Sequence, residues 1–209
     1  KYCQQNGVPY KIVNCYDSDI IQSLKDCDAL LWHHHHSSAK DVLFAKGLLF
    51  SLEQAGKKVF PEFNSGWHFD DKVGQKYLLE ALNAPVAKSW VFYEKEEAYK
   101  WIESTTFPKV FKLRGGAGST NVKLVRSKSQ AKKLARRAFG SGFPAYDKWN
   151  DLNEQYLRFK RGKLTFKSLA KSIRRLVVST RFAKTVGVHK GYLYFQDFIP
   201  NNSYDIRVI

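Results

Sequence analysis

The sequence predicts an α/β fold whose first part is a parallel, doubly wound unit. Two short apolar runs of strand length, Asp28–Trp32 and Lys58–Phe60, flank the amphipathic helical pattern Lys40–Ala55. Gly56 follows that pattern as a candidate C-cap. Strands that alternate with helices are typical of a parallel sheet. We therefore predict an N-terminal α/β domain over residues 1–66.

The residues before these elements extend the same alternation. Pro9–Cys15 is rich in β-formers and predicts a strand. Ser18–Cys27 carries apolar residues at helical spacing and predicts a helix.

A second domain is predicted over residues 67–209, because the pattern changes after Trp67. Asp70 or Asp71 can cap a helix that continues to Leu82. The later predicted elements are, in chain order, the strand Ser89–Tyr93, the helix Glu96–Glu103, the strands Phe107–Leu113 and Val122–Val125, the helices Ser127–Phe139 and Thr165–Ala183, and the β-rich segments Gly191–Ile199 and Tyr204–Ile209.

The composition fits a folded domain with a substantial core. Hydrophobic residues make up 44% of the 209 residues and aromatic residues 15%, which argues against disorder. No apolar run approaches the roughly 20 residues of a membrane-spanning helix. The chain opens without a secretory signal, starts at Lys1 and contains no Met, so we expect a native segment before it. An odd cysteine count without a CxxC pair favours reduced thiols and a cytoplasmic location.

The positive charge is concentrated in one stretch. The net charge is +16, yet Arg158–Lys190 contains eleven Lys and Arg residues and no acidic residue. Outside that stretch, 24 basic residues face 19 acidic ones. We interpret residues 145–190 as a basic insertion that recruits an acidic substrate or an anionic surface. A solvated basic surface without a partner is the plainer alternative, and nucleic-acid binding is another, although no nucleic-acid motif is present.

The segment Phe107–Val125 combines a lysine with a glycine-rich loop between two predicted strands. The loop follows Lys112, and its small residues are Gly115, Gly116, Gly118 and Ser119. Glycines allow backbone N–H groups to approach phosphate oxygens, and a lysine beside them supplies positive charge. The pattern matches neither the Walker A motif nor the dinucleotide fingerprint. Phosphate binding and an ordinary hairpin with a flexible tip are both compatible with it.

Two further polar groups stand out. The first is held by a predicted strand, a Pro-Asn-Asn turn and a second predicted strand, and consists of Gln196, Asp197, Asp205 and Arg207. The second is the run His33–His36, directly after the strand Asp28–Trp32. A polar loop is the plainer interpretation of the histidines, and a substrate role at the end of a parallel strand is the alternative.

The order of four motifs resembles the ATP-grasp superfamily, which includes glutathione synthetase, D-alanine–D-alanine ligase and the ligases that add glutamate to a ribosomal protein. The motifs are Asp71-Lys72, Lys112 with its glycine-rich loop, Gln-Asp-Phe-Ile at 196–199 and Asp-Ile-Arg at 205–207. The resemblance covers roughly residues 67–209. It implies an α+β ATP-grasp fold, in which a parallel pre-ATP-grasp unit precedes the small lobe and the start of the large lobe.

The resemblance also implies roles for single residues. Lys72 would face the ATP phosphates, and Lys112 would lie near the α-phosphate and adenine. The loop Gly115–Ser119 would cover the β- and γ-phosphates. The implied hinge consists of Gln196, Asp197, Phe198 and Ile199, with the backbone and the Asp197 carboxylate reading adenine. Asp205 would bind the ribose hydroxyls, and Arg207 would stabilise the transferred phosphate.

The implied activity is an ATP-dependent ligase that forms a carbon–nitrogen bond through an acyl phosphate. Its substrates would be ATP, a small-molecule or peptide carboxylate and an amine, with Mg²⁺ as cofactor. Family members carry their magnesium ligands on strands that would follow Ile209, so no metal residue is named here and residues 1–209 alone are expected to be inactive. A non-catalytic ATP-binding module is the alternative within the same resemblance.

Overall fold

The structure is a computed structural model that describes residues 2–35, 38–117, 120–144, 156, 159–160 and 187–202. The chain divides into two compact units, Lys1–His35 with Lys40–Trp67 and His36–Ala39 with His68–Ile209. None of the helices in the described ranges combines the length and apolar character needed to cross a membrane.

The first unit contains a pair of parallel strands and one long helix. Its elements are α1 (Tyr2–Gln5), α2 (Ile20–Ser23), β1 (Ala29–Leu31), α3 (Ala39–Gln54), β2 (Lys58–Phe60) and α4 (Phe63–Gly66). Strands β1 and β2 are parallel, with Leu30 opposite Val59. Leu30 packs in a small core with Leu49 and Leu52 of α3 and Leu24 after α2. The predicted parallel α/β arrangement is therefore confirmed.

The prediction of a strand over Pro9–Cys15 is wrong. This segment has irregular backbone, because a strand needs a neighbouring strand to satisfy its N–H and C=O groups and β1 pairs only with β2 among the described strands. Ile12 is 90% exposed, whereas Val13 packs against the core of the unit. The predicted helix Ser18–Cys27 is shorter in the structure, where α2 spans Ile20–Ser23.

The second unit is built on an antiparallel sheet with the strand order β3-β8-β4-β5. Its elements are α5 (Lys72–Ala81), β3 (Ser89–Phe92), α6 (Lys95–Ser104), β4 (Lys109–Ala117), β5 (Thr120–Val125), α7 (Lys128–Phe139), β6 (Phe143–Pro144), β7 (Val188–His189) and β8 (Leu193–Asp197). Strand β8 pairs with both β3 and β4. A strand that comes last among these elements thus lies inside the sheet.

Helices α6 and α7 cover one side of this sheet. The buried core contains Ala98 and Ile102 of α6, Ala131 and Ala135 of α7, and the aromatic and aliphatic residues that the strands direct toward them. Small residues on α7 allow its backbone to approach the strands closely. We call this side of the sheet the helix-covered face and define it by Trp90, Lys109, Phe111, Phe195 and Asp197, which alternate with residues of the opposite side.

Two helices of the second unit begin at side-chain caps. The Asp71 carboxylate accepts hydrogen bonds from the N–H groups of Val73 and Gly74 at the start of α5. The Ser127 hydroxyl accepts from the N–H of Gln130 at the start of α7. Both caps supply acceptors for N–H groups that a helix leaves without an internal partner. The mixed α/β class is confirmed. The predicted elements Thr165–Ala183 and Tyr204–Ile209 lie outside the described residues.

Candidate functional site

The side of the sheet opposite α6 and α7 carries polar side chains, and we call it the polar face. It is defined by Ser89 on β3, Lys112 on β4, and Tyr194 and Gln196 on β8. Cross-strand register places Gln196 opposite both Ser89 and Val110, and Lys112 lies two residues beyond Val110 on the same side. The strand period of two therefore gathers these groups on one surface.

Lys112 is held in place by Gln196. Its ammonium group donates to the Gln196 amide oxygen at 2.6 Å. The amide nitrogen of Gln196 donates to the carbonyl of Ala87 at 3.3 Å, so both ends of the amide are oriented. Beside it, the Tyr194 hydroxyl donates to the Ser89 hydroxyl at 2.9 Å. Lys112 thus presents a fixed positive charge beside Ser89, Tyr194 and Gln196, whose side chains are neutral.

Lys72 brings a second positive charge to this surface. It is the first residue of α5, and its ammonium group donates to the Gln75 side chain at 3.0 Å. Burial and then the positive charge of Lys72 lower the pKa of Lys112 below the ordinary lysine value. The two positive charges repel one another, and an anion that interacts with both would relieve that repulsion.

An ion pair joins the start of α5 to the end of β4. Arg114 donates to one oxygen of Asp71 through Nε at 2.8 Å and through Nη2 at 2.5 Å. The other oxygen of Asp71 caps α5. The hydrogen bond to Asp71 raises the pKa of Arg114, so the guanidinium stays charged. The Asp71 carboxylate therefore joins the start of α5, where Lys72 lies, to β4, the strand that carries Lys112.

The glycine-rich connection begins beside this ion pair. Strand β4 loses regular register with β5 between Lys112 and Ala117, which marks a change of backbone path there. A Cβ placed on Gly115 would lie 3.9 Å from the carbonyl oxygen of Asp70, so the start of the loop passes close to the backbone before α5. Gly116 lies within β4, and Gly118 and Ser119 lie outside the described residues.

Asp197 lies on the other side of the sheet from Gln196. Its carboxylate accepts from the ammonium group of Lys109 at 2.6 Å. The Lys109 side chain is only 8% exposed, and its charge lies 4.8 Å from the centre of the Trp90 ring. The structure therefore engages Asp197 in a partly buried ion pair on the helix-covered face, whereas Lys112 and Gln196 lie on the polar face.

The remaining candidate residues follow β8 or lie beyond the described part of the chain. Phe198 and Ile199 continue directly from Asp197 with exposed side chains. Asp205 and Arg207 lie outside the described residues. In the described ranges no group of three or more His, Cys, Asp or Glu side chains could hold a metal ion, so we place no magnesium ligand on them.

The chain is similar in structure to a RimK-domain ATP-grasp protein from Sphaerobacter thermophilus DSM 20745. The similarity covers 83% of this chain and 46% of that chain, with 17% sequence identity and a TM-score of 0.41. The chain thus spans less than half the length of that protein. No protein-family model matches the sequence, and a comparison with curated proteins finds no match.

Arg114, Tyr192 and His189 belong to this site but were not singled out from the sequence. The N–H of Arg114 donates to the Tyr192 hydroxyl at 2.7 Å, and that hydroxyl lies 3.2 Å from Nδ1 of His189. Burial and then the charge of Arg114 lower the pKa of His189. Strand alternation offered one signal, because Arg114 lies two residues after Lys112 and falls on the same side.

The first three residues of the histidine run lie in the first unit, after β1. His33, His34 and His35 are described, and His36 lies outside the described residues. The buried Asp41 accepts hydrogen bonds from the Tyr16 hydroxyl and from the N–H of His35, which fixes the backbone of this segment. The rings of His33 and His35 are 5.3 Å apart. The interpretation of the run as a polar loop and its alternative as a substrate site both remain predictions.

Proposed function

We propose that this chain is the nucleotide-binding part of an ATP-dependent ligase that joins a carboxylate to an amine. The observation that carries the proposal is the pair of lysines, Lys72 and Lys112, at the base of the glycine-rich connection. The two positive charges come from different elements and repel one another. A polyphosphate beside them would be attracted by both charges, and the glycines would let it approach the backbone.

The positions of Gln196 and Asp197 refine how the base would be recognised. Gln196 shares the polar face with Lys112, and its amide keeps a second lone pair and a second N–H beyond the two hydrogen bonds described above. We assign the reading of the adenine edge to this amide and to the backbone that follows it. Asp197 would support the hinge through Lys109. Phe198 and Ile199 would continue that hinge.

In this proposal catalysis depends on positioning and on neutralisation of charge. Transfer of the γ-phosphoryl group to a carboxylate gives an acyl phosphate and ADP, and attack by the amine then releases phosphate. Lys72 and Lys112 would hold the negative charge of the polyphosphate while the carboxylate approaches. Asp205 and Arg207 keep the proposed ribose and phosphate roles. The Mg²⁺ that the resemblance implies has no ligand set among the described residues, so no step is derived through it.

The test compares two lysines on neighbouring strands. Lys112→Met removes a charge from the polar face, and Lys123→Met removes one from an exposed residue that lies opposite Phe111 and therefore on the other side of the sheet. Titration calorimetry should show ATP affinity reduced about tenfold or more in Lys112→Met, since a charge-assisted contact is worth about 1.5–3 kcal/mol. Adenosine should lose less affinity than ATP.

The Lys123→Met variant should bind ATP like the unmodified protein. Unchanged ATP affinity in Lys112→Met would refute the proposed site. Equal losses in the two variants would indicate a diffuse electrostatic attraction in place of a site. A non-catalytic ATP-binding module would show the same binding results, so these titrations test the nucleotide site that the two alternatives share.

A further inference from the structure

Asp71 has two separate tasks at the start of α5. Oδ1 accepts from the N–H groups of Val73 at 3.1 Å and Gly74 at 2.9 Å, which caps the helix. Oδ2 accepts from Arg114 through two nitrogens, at 2.8 and 2.5 Å. The residue is only 6% exposed, so its orientation is fixed by these contacts. The first task would stabilise α5 in any protein, whereas the second joins α5 to a strand 43 residues further along the chain.

Arg114 is fixed from a second direction through its backbone. Its N–H donates at 2.7 Å to the hydroxyl of Tyr192, a residue that lies between β7 and β8. Its side chain reaches Asp71, and the next residue, Gly115, starts the glycine-rich connection beside Asp70. The residue thus joins α5, β4 and the segment before β8 at one point. Lys72 follows Asp71 directly, and Lys112 precedes Arg114 by two residues on the same side of β4.

The contact between Asp71 and Arg114 also balances charge, which a contact between two neutral side chains would not do. The positive charge of Lys72 already lowers the pKa of Lys112. Arg114 adds a third cation, and Asp71 balances it through a two-pronged contact whose geometry only a guanidinium provides. The Asp71–Arg114 pair is thus balanced in charge and joins the elements that carry Lys72 and Lys112, the two lysines that the proposed function assigns to the polyphosphate.

We infer that Arg114 and Asp71 form a positioning pair that sets the spacing of Lys72 and Lys112 and anchors the start of the glycine-rich connection for a nucleotide polyphosphate. The inference rests on the proposed function, because it assigns the pair to the same nucleotide site. Arg114 acts through the two lysines and through the loop, and it is not itself assigned a contact with the nucleotide. Displacement of Lys72 or Lys112 would weaken phosphate binding but would leave the contacts with the base in place.

The experiment uses the full chain and measures affinities for ATP and adenosine by calorimetry. Arg114→Met removes the ion pair and leaves the helix cap on Asp71 intact, so folding should be retained. ATP affinity should fall about tenfold, because small displacements of positioned groups have large effects on binding and catalysis. Adenosine affinity should stay unchanged. Arg114→Lys should give an intermediate loss, since one ammonium cannot reproduce the two-pronged contact.

Asp71→Asn tests the same pair from its other partner. The amide oxygen can still cap α5, but the charge that holds Arg114 is lost. Its loss of ATP affinity should match that of Arg114→Met, and the double variant should be no weaker than either single one, because residues that act as a unit are not additive. Arg126→Met serves as the matched control, since Arg126 is an exposed arginine directly after β5.

The outcomes separate this inference from the proposed function. If Lys112→Met loses ATP affinity while Arg114→Met and Asp71→Asn do not, the positioning role is wrong and the nucleotide site stands. If Lys112→Met also keeps its affinity, the proposed function is wrong, and the inference fails with it. Equal losses for ATP and adenosine in Arg114→Met would show a general structural role and would overturn the inference.

Discussion

The two faces of the antiparallel sheet in the second unit are built from adjacent residues of the same strands, yet one is packed against helices and the other carries polar side chains. Phe195 and Asp197 of β8 lie with Trp90 and Lys109 on the helix-covered face. Gln196, between them in the sequence, lies on the polar face. The comparison shows that closeness in the sequence does not tell which face of the sheet a polar residue occupies. Strand register decides which of them lie on the face of the proposed site and which lie on the helix-covered face.

The largest expected effect comes from the helix-covered face. Phe195→Ala should lower the free energy of unfolding by about 3–5 kcal/mol, because the ring is fully buried among the side chains of β4, α6 and α7. Denaturant titration measures this loss. Phe198→Ala is the matched control, since Phe198 is a neighbouring aromatic residue that is 40% exposed, and it should cost less than about 1 kcal/mol. Similar losses in both variants would mean that the two faces are not distinct.

Asp197 and Gln196 provide a sharper test of the same comparison. Asp197→Ala should lower the free energy of unfolding by about 1–3 kcal/mol, because the buried ammonium group of Lys109 loses its anionic partner. Its ATP affinity should change less than that of Gln196→Ala. Gln196→Ala should retain most of its stability and should weaken both ATP and adenosine binding about fivefold, since the proposed contact is to the base.

The reverse pattern would contradict the assignment of the two side chains. A large loss of adenosine affinity in Asp197→Ala with unchanged stability would place the carboxylate at the base. Thermal unfolding without nucleotide, measured beside the titrations, distinguishes the two cases.

Local patterns in the sequence predicted many of the helices and strands of the second unit. Asp71 was one of two candidate caps for α5, and its carboxylate occupies that position in the structure. The β-rich run Ser89–Tyr93 and the basic pattern Ser127–Phe139 correspond to β3 and α7, because each is determined by nearby residues and by one periodicity. The same locality explains the failure at Pro9–Cys15, where β-forming residues have no neighbouring strand in the described part of the chain.

The site could be predicted only in part, because its decisive contacts are not local. The resemblance named Lys72, Lys112 and the segment Gln196–Ile199, and the structure brings Lys112 and Gln196 together. Nothing in the sequence revealed that β8 would lie between β3 and β4. That arrangement brings Gln196 to Lys112 and directs Asp197 to the opposite face. The Asp71–Arg114 contact was equally hidden, since it joins residues that are far apart in the chain.

The most direct test of the central claim is a lysine-acylation footprint of the protein with and without ATP, read by mass spectrometry. Lys112 is half-buried with a lowered pKa, so at mildly alkaline pH a larger fraction of it is the reactive neutral amine than for an ordinary lysine. The account predicts that ATP slows the labelling of Lys112 and Lys72 and leaves the exposed Lys123 unchanged. Labelling rates of Lys112 and Lys72 that do not respond to saturating ATP would contradict a nucleotide site on the polar face.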